Sequence, residues 1–296
     1  MIHKNFINLC LTLLAVCWSV VVQAQSLSVD GIDYYLDKSS MTASVTGPRT
    51  FSGHLVIPEK VAYGGEEYKV TSIYSAAFSG CLGLVSVDMP SVTSIGGDAF
   101  RDCLNLASVD IPLVQNIGEW SFNKCSSLAS VNMSSVTMIG DYAFEHCSSL
   151  TSVDMPSVTR IGFGAFGHCT NLTSVDMPLM TSISGDTFYA CSSLASVSMP
   201  LVTSIGNQAF MGCSNLVSVD MPLVQSIGSE SFSYCPISNL NLPTNLKSIG
   251  KNAFNYTRQI IIDATEPPFA YKKAFWENVV VYCPESAVEA YKAANG

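Results

Sequence analysis

Two histidine–cysteine pairs are the residues of this sequence that come closest to reactive chemistry. His146–Cys147 and His168–Cys169 stand 22 residues apart. A histidine beside a cysteine can activate the thiol as a nucleophile, and both side chains also bind zinc. Each cysteine follows a predicted core phenylalanine by three residues and is expected to face inward, which turns its neighbouring histidine outward or sideways. We therefore interpret both histidines as surface residues, and the sequence predicts no catalytic residue, no metal site and no cofactor.

Cysteine recurs at the same 22-residue spacing through most of the chain. The column consists of Cys81, Cys103, Cys125, Cys147, Cys169, Cys191, Cys213 and Cys235. In an exported protein, so many cysteines suggest disulfides. Coils about 4.8 Å apart bring the Cα atoms within disulfide range, but their parallel Cβ vectors oppose the bond. We expect buried free thiols, because one cysteine per coil also cannot assemble the four ligands of a zinc site.

A column of acidic side chains is the first candidate for binding a ligand. Five aspartates occupy one position of the repeat, namely Asp88, Asp110, Asp154, Asp176 and Asp220. Carboxylates in adjacent coils repel each other by roughly 1–3 kcal/mol before screening by salt. The column is either a solvated strand face copied by duplication or a strip for a basic or hydroxyl-rich ligand. No pair of carboxylates is distinguished from the others, as the catalytic pair of a glycosidase would be.

Three aromatic residues interrupt the polar surface and form the second group of candidate ligand-binding residues. They are Trp120, Tyr142 and Phe163, and all three fall in predicted turns. Exposed aromatic side chains provide contact area for proteins and sugars. The alternative is that they simply cover the outer side of each turn.

All these columns follow from one repeat of 22 residues. Nine phenylalanines mark it: Phe78, Phe100, Phe122, Phe144, Phe166, Phe188, Phe210, Phe232 and Phe254. A fixed period of this length indicates a solenoid, in which each coil is too small to bury its apolar face alone and stacked coils share one core. Parallel columns of Leu, Val and Ile predict the remaining core positions.

Within one coil, the residue order predicts a strand, a glycine turn and a helical turn. Apolar and polar side chains alternate over Val87–Met89, which is typical of a short strand with its aspartate outward, and a proline ends the strand. Gly96 and its equivalents follow the Ile column, where we expect a turn that needs positive φ. The segment from Ala99 to Cys103 predicts a helical or 3-10 turn that places its phenylalanine in the core.

The sequence divides into four segments. Residues 1–24 are a predicted secretory signal, because Lys4 precedes an almost wholly apolar run and Val22-Gln23-Ala24 is an acceptable cleavage site. We expect an N-terminal β cap over residues 25–58, the solenoid over 59–257, and a C-terminal cap of strand and helix over 258–296. The predicted fold is an α/β solenoid whose caps cover the open core and the sheet edges.

The repeat resembles the BspA-like leucine-rich repeat, also called the Treponema-type repeat. The motif Leu-x-x-Val-x-Met-Pro-x-Val-x-x-Ile-Gly-x-x-Ala-Phe-x-x-Cys recurs from about residue 56 to residue 254. Segments 68–73, 264–269 and 282–292 are similar to the family's first coil and to its closing segment. The resemblance implies a leucine-rich repeat solenoid in a secreted or surface protein of a kind common in Bacteroidales. Some members bind host matrix proteins or mediate adhesion, and the family supplies no fixed set of ligand residues.

Charge narrows the class of partner. The chain has a formal net charge of −9, and an acidic exported chain is a poor candidate for binding nucleic acid or an anionic membrane. We expect a secreted or cell-surface monomer whose mature chain does not insert into a membrane. Its expected role is recognition or adhesion, with a protein or glycan macromolecule of a host or neighbouring cell as partner. The alternative is a structural or glycan-binding component of the cell envelope without a host partner.

Overall fold

The computed structural model describes residues 25–48, 50–238, 240–257, 259–262, 269–270 and 280–295. The predicted signal segment, residues 1–24, lies outside the described residues, as do parts of the predicted closing segment. Within the described ranges, no helix is both long enough and apolar enough to cross a membrane.

The described part of the chain begins with strands that lead into the repeat. They are β1 (Gln25–Val29), β2 (Ile32–Asp37), β3 (Thr42–Gly47), β4 (Gly53–Val56), β5 (Lys60–Tyr63) and β6 (Glu66–Ile73). The first three strands form an antiparallel meander, and β3 then pairs in parallel with β6. Strand β4 pairs in parallel with the first repeat strand, β7. The meander therefore lies along the edge of the sheet that the repeats extend.

Each coil of the solenoid contributes two short strands to two parallel ladders. The Val ladder contains β7 (Leu84–Asp88), β9 (Ser108–Asp110), β11 (Ser130–Val131), β13 (Ser152–Asp154), β15 (Ser174–Asp176), β17 (Ser196–Ser198), β19 (Ser218–Asp220) and β21 (Leu240–Leu242). The Ile ladder contains β8 (Ser94–Ile95), β10 (Asn116–Ile117), β12 (Met138–Ile139), β14 (Arg160–Ile161), β16 (Ser182–Ile183), β18 (Ser204–Ile205), β20 (Ser226–Ile227) and β22 (Ser248–Ile249). Sequence reasoning predicted the first strand of each coil and treated the Ile column as core without a strand.

Where adjacent strands pair, the register of both ladders is one repeat per coil. Among the described strands, pairing is interrupted after β11, β15 and β19 in the Val ladder and after β14 in the Ile ladder. Val87 is opposite Val109, and Ile95 is opposite Ile117. Val87 and Met89 are buried while Asp110, the equivalent of the residue between them, is exposed. The predicted alternation, with Val and Met inward and Asp outward, is therefore confirmed.

The C-terminal end departs from the repeat. Strand β23 (Gln259–Ile262) pairs in parallel with β21 and with β25 (Val280–Tyr282), and β24 (Phe269–Ala270) pairs with β22. A 3-10 segment (Glu285–Ala287) and a helix, α1 (Val288–Asn295), follow. Ala287 and Tyr291 on this last segment are buried.

The turn around each phenylalanine forms a third set of hydrogen bonds between coils. The amides of Asp98, Phe100 and Asp102 donate to carbonyls of the next coil at 2.9, 2.7 and 2.9 Å. Asp98 and Asp102 have φ of 55° and 57°, and the two equivalent positions are left-handed in every repeat. The predicted helical or 3-10 turn is not confirmed, because alternating left-handed residues direct the amides toward the neighbouring coil instead of along a helix.

The glycines after the Ile column do not have the predicted backbone conformation. None of Gly96, Gly118, Gly140 and Gly162 has positive φ. A Cβ atom on Gly140 would lie 2.5 Å from the backbone nitrogen of Glu119 in the preceding coil. These positions require glycine because adjacent coils approach too closely for a side chain, so the positive-φ explanation was wrong.

The core is a column of parallel rings flanked by thiols. The nine repeat phenylalanines are fully buried, and consecutive rings stack with centroids 5.2 to 5.6 Å apart. Each cysteine of the column is buried and donates a hydrogen bond from Sγ to a backbone carbonyl; Cys125, for example, donates to Phe100 at 3.1 Å. The described cysteines from Cys81 to Cys283 are all free thiols, as the sequence analysis predicted.

We expect the column thiols to be unreactive in the folded protein. Burial raises the pKa of Cys103 to about 12 and raises the pKa of Cys125 well above its usual value, so little thiolate is present at neutral pH. Titration of the chain from Gln25 with a thiol reagent should detect about one fast group, the partly exposed Cys283. Unfolding without reductant should release the eight column thiols as well. Recovery of fewer than half of them would contradict the prediction.

Candidate binding surfaces

Trp120, Tyr142 and Phe163 form one continuous row on the turn surface. The Trp120 and Tyr142 rings stack at a centroid distance of 4.2 Å, and Phe163 meets the Tyr142 ring edge-on at 5.5 Å. The Arg101 guanidinium lies 5.1 Å from the centroid of the Trp120 ring, within the range of a cation–π contact. We call Arg101, Trp120, Tyr142 and Phe163 the aromatic row; it crosses four successive coils.

The backbone and two glycines hold the aromatic row in place. Trp120 and Tyr142 have φ of 58° and 55°, and their amides donate to the next coil, which fixes the direction of both side chains. A Cβ on Gly164 would lie 2.6 Å from the Tyr142 ring, and a Cβ on Gly185 would lie 2.8 Å from the Phe163 ring. Each ring therefore lies directly on the backbone of the following coil, where only glycine leaves space.

The five candidate aspartates are on the Val ladder, away from the turns. We call them the acidic strip. Asp88 is opposite Asp110 and Asp154 is opposite Asp176, whereas Asp220 is opposite Ser198. His54 Nε2 lies 3.4 Å from Asp88, so one end of the strip already has a cationic partner when this histidine is protonated. The strip is interrupted at Asn132 and Ser198, which divides the carboxylates into two pairs and one single residue.

The structure brings the aromatic candidates together more closely than the acidic ones. Trp120 stacks on Tyr142, and Tyr142 in turn contacts Phe163, although the three residues belong to three different coils. The sequence did contain a signal for this row, since Trp120 and Tyr142 are one repeat apart and a glycine stands at the next equivalent position, Gly164. Sequence reasoning missed it because the close approach of the coils is not visible in one repeat.

The two histidines that sequence reasoning set aside also meet. His146 and His168 stack with centroids 4.4 Å apart and planes 5° from parallel, and Tyr189 meets His168 edge-on at 5.2 Å. The ligand atoms of Glu145 and of both histidines all lie within 4.8 Å of one another. A cleft of about 330 Å³ opens beside them, with Asp186 and Gln208 in its wall.

Burial and neighbouring charges shift the pKa values of two ionisable groups in this cleft. Desolvation, and then the neighbouring His146, lower the pKa of His168, with Glu145 acting in the opposite direction. Desolvation and the Glu145 carboxylate raise the pKa of Asp186. The buried Asn123 donates from Nδ2 to Glu145 Oε2 at 2.9 Å, which orients that carboxylate.

A second pair of exposed aromatic residues lies far from the aromatic row. Tyr234 and Tyr256 stack at 4.7 Å beside Pro236, and Tyr234 has left-handed φ like Trp120. This pair is a useful comparison for the row, because its residues also have positive φ, although they occupy the second left-handed position of the repeat.

Comparison with known proteins identifies the repeat. The profile of the BspA type leucine rich repeat region matches residues 66–173 and 137–261, in six copies. A leucine-rich repeat protein from Bacteroides ovatus is 28% identical over 88% of this chain and 68% of its own, with a TM-score of 0.73. The T. pallidum leucine rich repeat protein is 30% identical over 65% of this chain and 91% of its own, with a TM-score of 0.57. No match is found among curated proteins.

Proposed function

The chain belongs to the family of BspA-type leucine-rich repeat proteins, and on that premise we propose that it is a secreted or cell-surface recognition protein. It binds a protein or glycan macromolecule of a host or neighbouring cell and mediates adhesion to it. A repeat scaffold supports this role, because it presents a long rigid surface while exposed substitutions determine specificity. The predicted absence of catalysis is part of the same proposal.

The aromatic row is the observation that carries the proposal. Affinity at interfaces is concentrated in a few aromatic and arginine anchors, and the row contains one arginine and three aromatic side chains, each in contact with the next. Phe163 is 39% exposed even though it is one of the most apolar side chains. The backbone and the neighbouring rings already hold these side chains in place. Binding would therefore cost little side-chain entropy.

The acidic strip has a different role in this proposal. Its carboxylates stand on a solvated sheet face, where charge mainly increases the association rate and makes binding sensitive to salt. A basic partner would use the strip, whereas a neutral protein surface or a glycan would use the aromatic row. We therefore assign the principal contact to the row and electrostatic steering to the strip.

Replacement of Trp120 by alanine is expected to weaken binding by at least about 2 kcal/mol, which is about 30-fold in Kd. Ligands would first be identified by applying the chain from Gln25 to a glycan array and to a panel of purified extracellular matrix proteins. Kd would then be measured for Trp120→Ala and for the double variant Asp154→Asn/Asp176→Asn, at low and at physiological salt. The aspartate changes should have a small effect that disappears as salt increases.

Tyr234→Ala is the matched control, because it removes an exposed aromatic side chain from a left-handed position outside the row. Its Kd should equal that of the unmodified chain. If the aspartate variant lost binding and Trp120→Ala did not, the acidic strip would be the main binding site instead of the aromatic row. Binding to envelope glycans alone, with no matrix protein bound, would favour a structural component of the cell envelope.

A further inference from the structure

Glu145, His146 and His168 form a cluster of potential metal ligands that lies outside the aromatic row and the acidic strip. Their ligand atoms lie within 4.8 Å of one another. Metal–ligand bonds of about 2.0–2.2 Å require neighbouring ligand atoms at about 3.3 Å. The ligand atoms would have to move closer by about 1.5 Å at most. Small side-chain rotations can achieve this, because all three side chains are at least partly exposed.

We propose that Glu145, His146 and His168 bind one divalent transition-metal ion at the surface of the solenoid. Two imidazoles and one carboxylate are a ligand set that suits Zn²⁺, and that Co²⁺, Ni²⁺ and Cu²⁺ also accept. Three protein ligands leave at least one coordination position for water or for a group from a partner. The site is therefore an exchangeable surface site.

The backbone brings the two imidazoles together before any metal binds. His146 and His168 occupy equivalent left-handed positions in adjacent coils, with φ of 61° and 59°. Their amides donate to Gly167 and Tyr189 of the following coils at 2.8 and 2.7 Å. The repeat thus holds both Cα atoms in fixed positions one coil apart, and the rings stack in parallel as a result.

The surroundings of the site favour a cation. Asn123 orients the Glu145 carboxylate through a 2.9 Å hydrogen bond, the kind of outer contact that tunes metal ligands. Asp186 lies in the wall of the adjoining cleft and adds a second carboxylate.

The many cysteines do not compete for metal in the folded chain. The column thiols, including the adjacent Cys147 and Cys169, are buried and point away from the histidines. Each donates its hydrogen to a backbone carbonyl, as Cys169 does to Phe144 at 3.2 Å. Metal bound by the native chain should therefore have nitrogen and oxygen ligands and no sulfur.

Calorimetric titration of the chain from Gln25 with ZnCl₂ at neutral pH tests the proposal. We expect one Zn²⁺ per chain, and we expect His146→Asn, His168→Asn and Glu145→Gln each to raise Kd at least about tenfold, since even outer-shell changes cost 10–100-fold. Asparagine is chosen because it tolerates positive φ, which leaves the turns intact. Circular dichroism melts would verify that each variant is folded.

His54→Asn is the matched control, because it removes an imidazole from the Val ladder and leaves the cluster untouched. Its Kd should be unchanged. The absorption spectrum of the Co²⁺ complex should lack a sulfur-to-metal charge-transfer band. Absence of binding up to millimolar Zn²⁺, a Kd in either cluster histidine variant equal to that of the unmodified chain, or a sulfur band would each overturn the proposal.

Discussion

Replacement of Phe166 by alanine is expected to lower the free energy of unfolding by about 3–5 kcal/mol, the usual loss for a buried aromatic residue. The Phe166 ring is fully buried near the middle of the column. It stacks on Phe144 at 5.3 Å and on Phe188 at 5.6 Å, so its removal leaves a cavity between two flat rings that cannot close without moving the coils. Urea unfolding, with the midpoint and slope compared, measures the loss.

Two companion variants make the Phe166 result interpretable. Phe163→Ala removes a ring of the same size from the same coil, but this ring is 39% exposed, so the loss should be about 1 kcal/mol or less. Phe254→Ala, near the C-terminal end of the column, should cost less than Phe166→Ala because end coils share fewer interfaces. Equal losses for Phe166→Ala and Phe254→Ala would argue against a model in which each coil is stabilised mainly by its interfaces with neighbouring coils.

The core of this protein could be predicted from its sequence because every coil places apolar residues at the same positions. The phenylalanine position is buried in all nine coils, so its nine copies identify it as a core position without any knowledge of the third dimension. The same reasoning placed the thiols inward and the strand aspartates outward. Periodicity thus determines which face each position occupies.

The particular contacts between adjacent coils could not be predicted in this way. Gly140 looks like a turn glycine within its own coil, and only the backbone of the preceding coil at 2.5 Å explains it. The contact between His146 and His168 also lies between coils, as does the stacking of Trp120 on Tyr142. These contacts have one signal in the sequence. Two residues one repeat apart lie side by side in the stack, so aromatic or ionisable residues at that spacing are expected to touch.

The protein contains a natural exception to its glycine column. Ser184 replaces glycine there, and at that coil the Ile ladder is interrupted, with no strand pairing between β14 and β16 in the described part of the sheet. The Ser184 hydroxyl donates to the Ile161 carbonyl at 2.7 Å, the carbonyl that a backbone amide would otherwise reach. The ring spacing is widest here, 5.6 Å between Phe166 and Phe188. The same coil also has Met180 where most coils have valine.

Gly140→Ala tests the close approach of the coils at the glycine column and is expected to destabilise the protein by about 3 kcal/mol, the upper part of the range for overpacking. Its Cβ would meet backbone atoms of Gly118 and Glu119 at 2.5–2.9 Å, and backbone held by two ladders moves little. Gly80→Ala is the control: it has φ of 73° with no atom near the new Cβ, so it should cost about 1–2 kcal/mol from backbone strain alone.

Gly140→Ser provides the sharper test, because serine is larger than alanine and steric reasoning alone predicts a greater loss. If the Ser184 arrangement can be copied, the new hydroxyl will donate to the Ile117 carbonyl, which now accepts from the Gly140 amide at 2.9 Å. One hydrogen bond contributes about 1 kcal/mol, so Gly140→Ser should be less destabilising than Gly140→Ala by about that amount. Urea unfolding of both variants decides the point. A loss for serine equal to or greater than that for alanine would show that the Ser184 arrangement cannot be reproduced at Gly140.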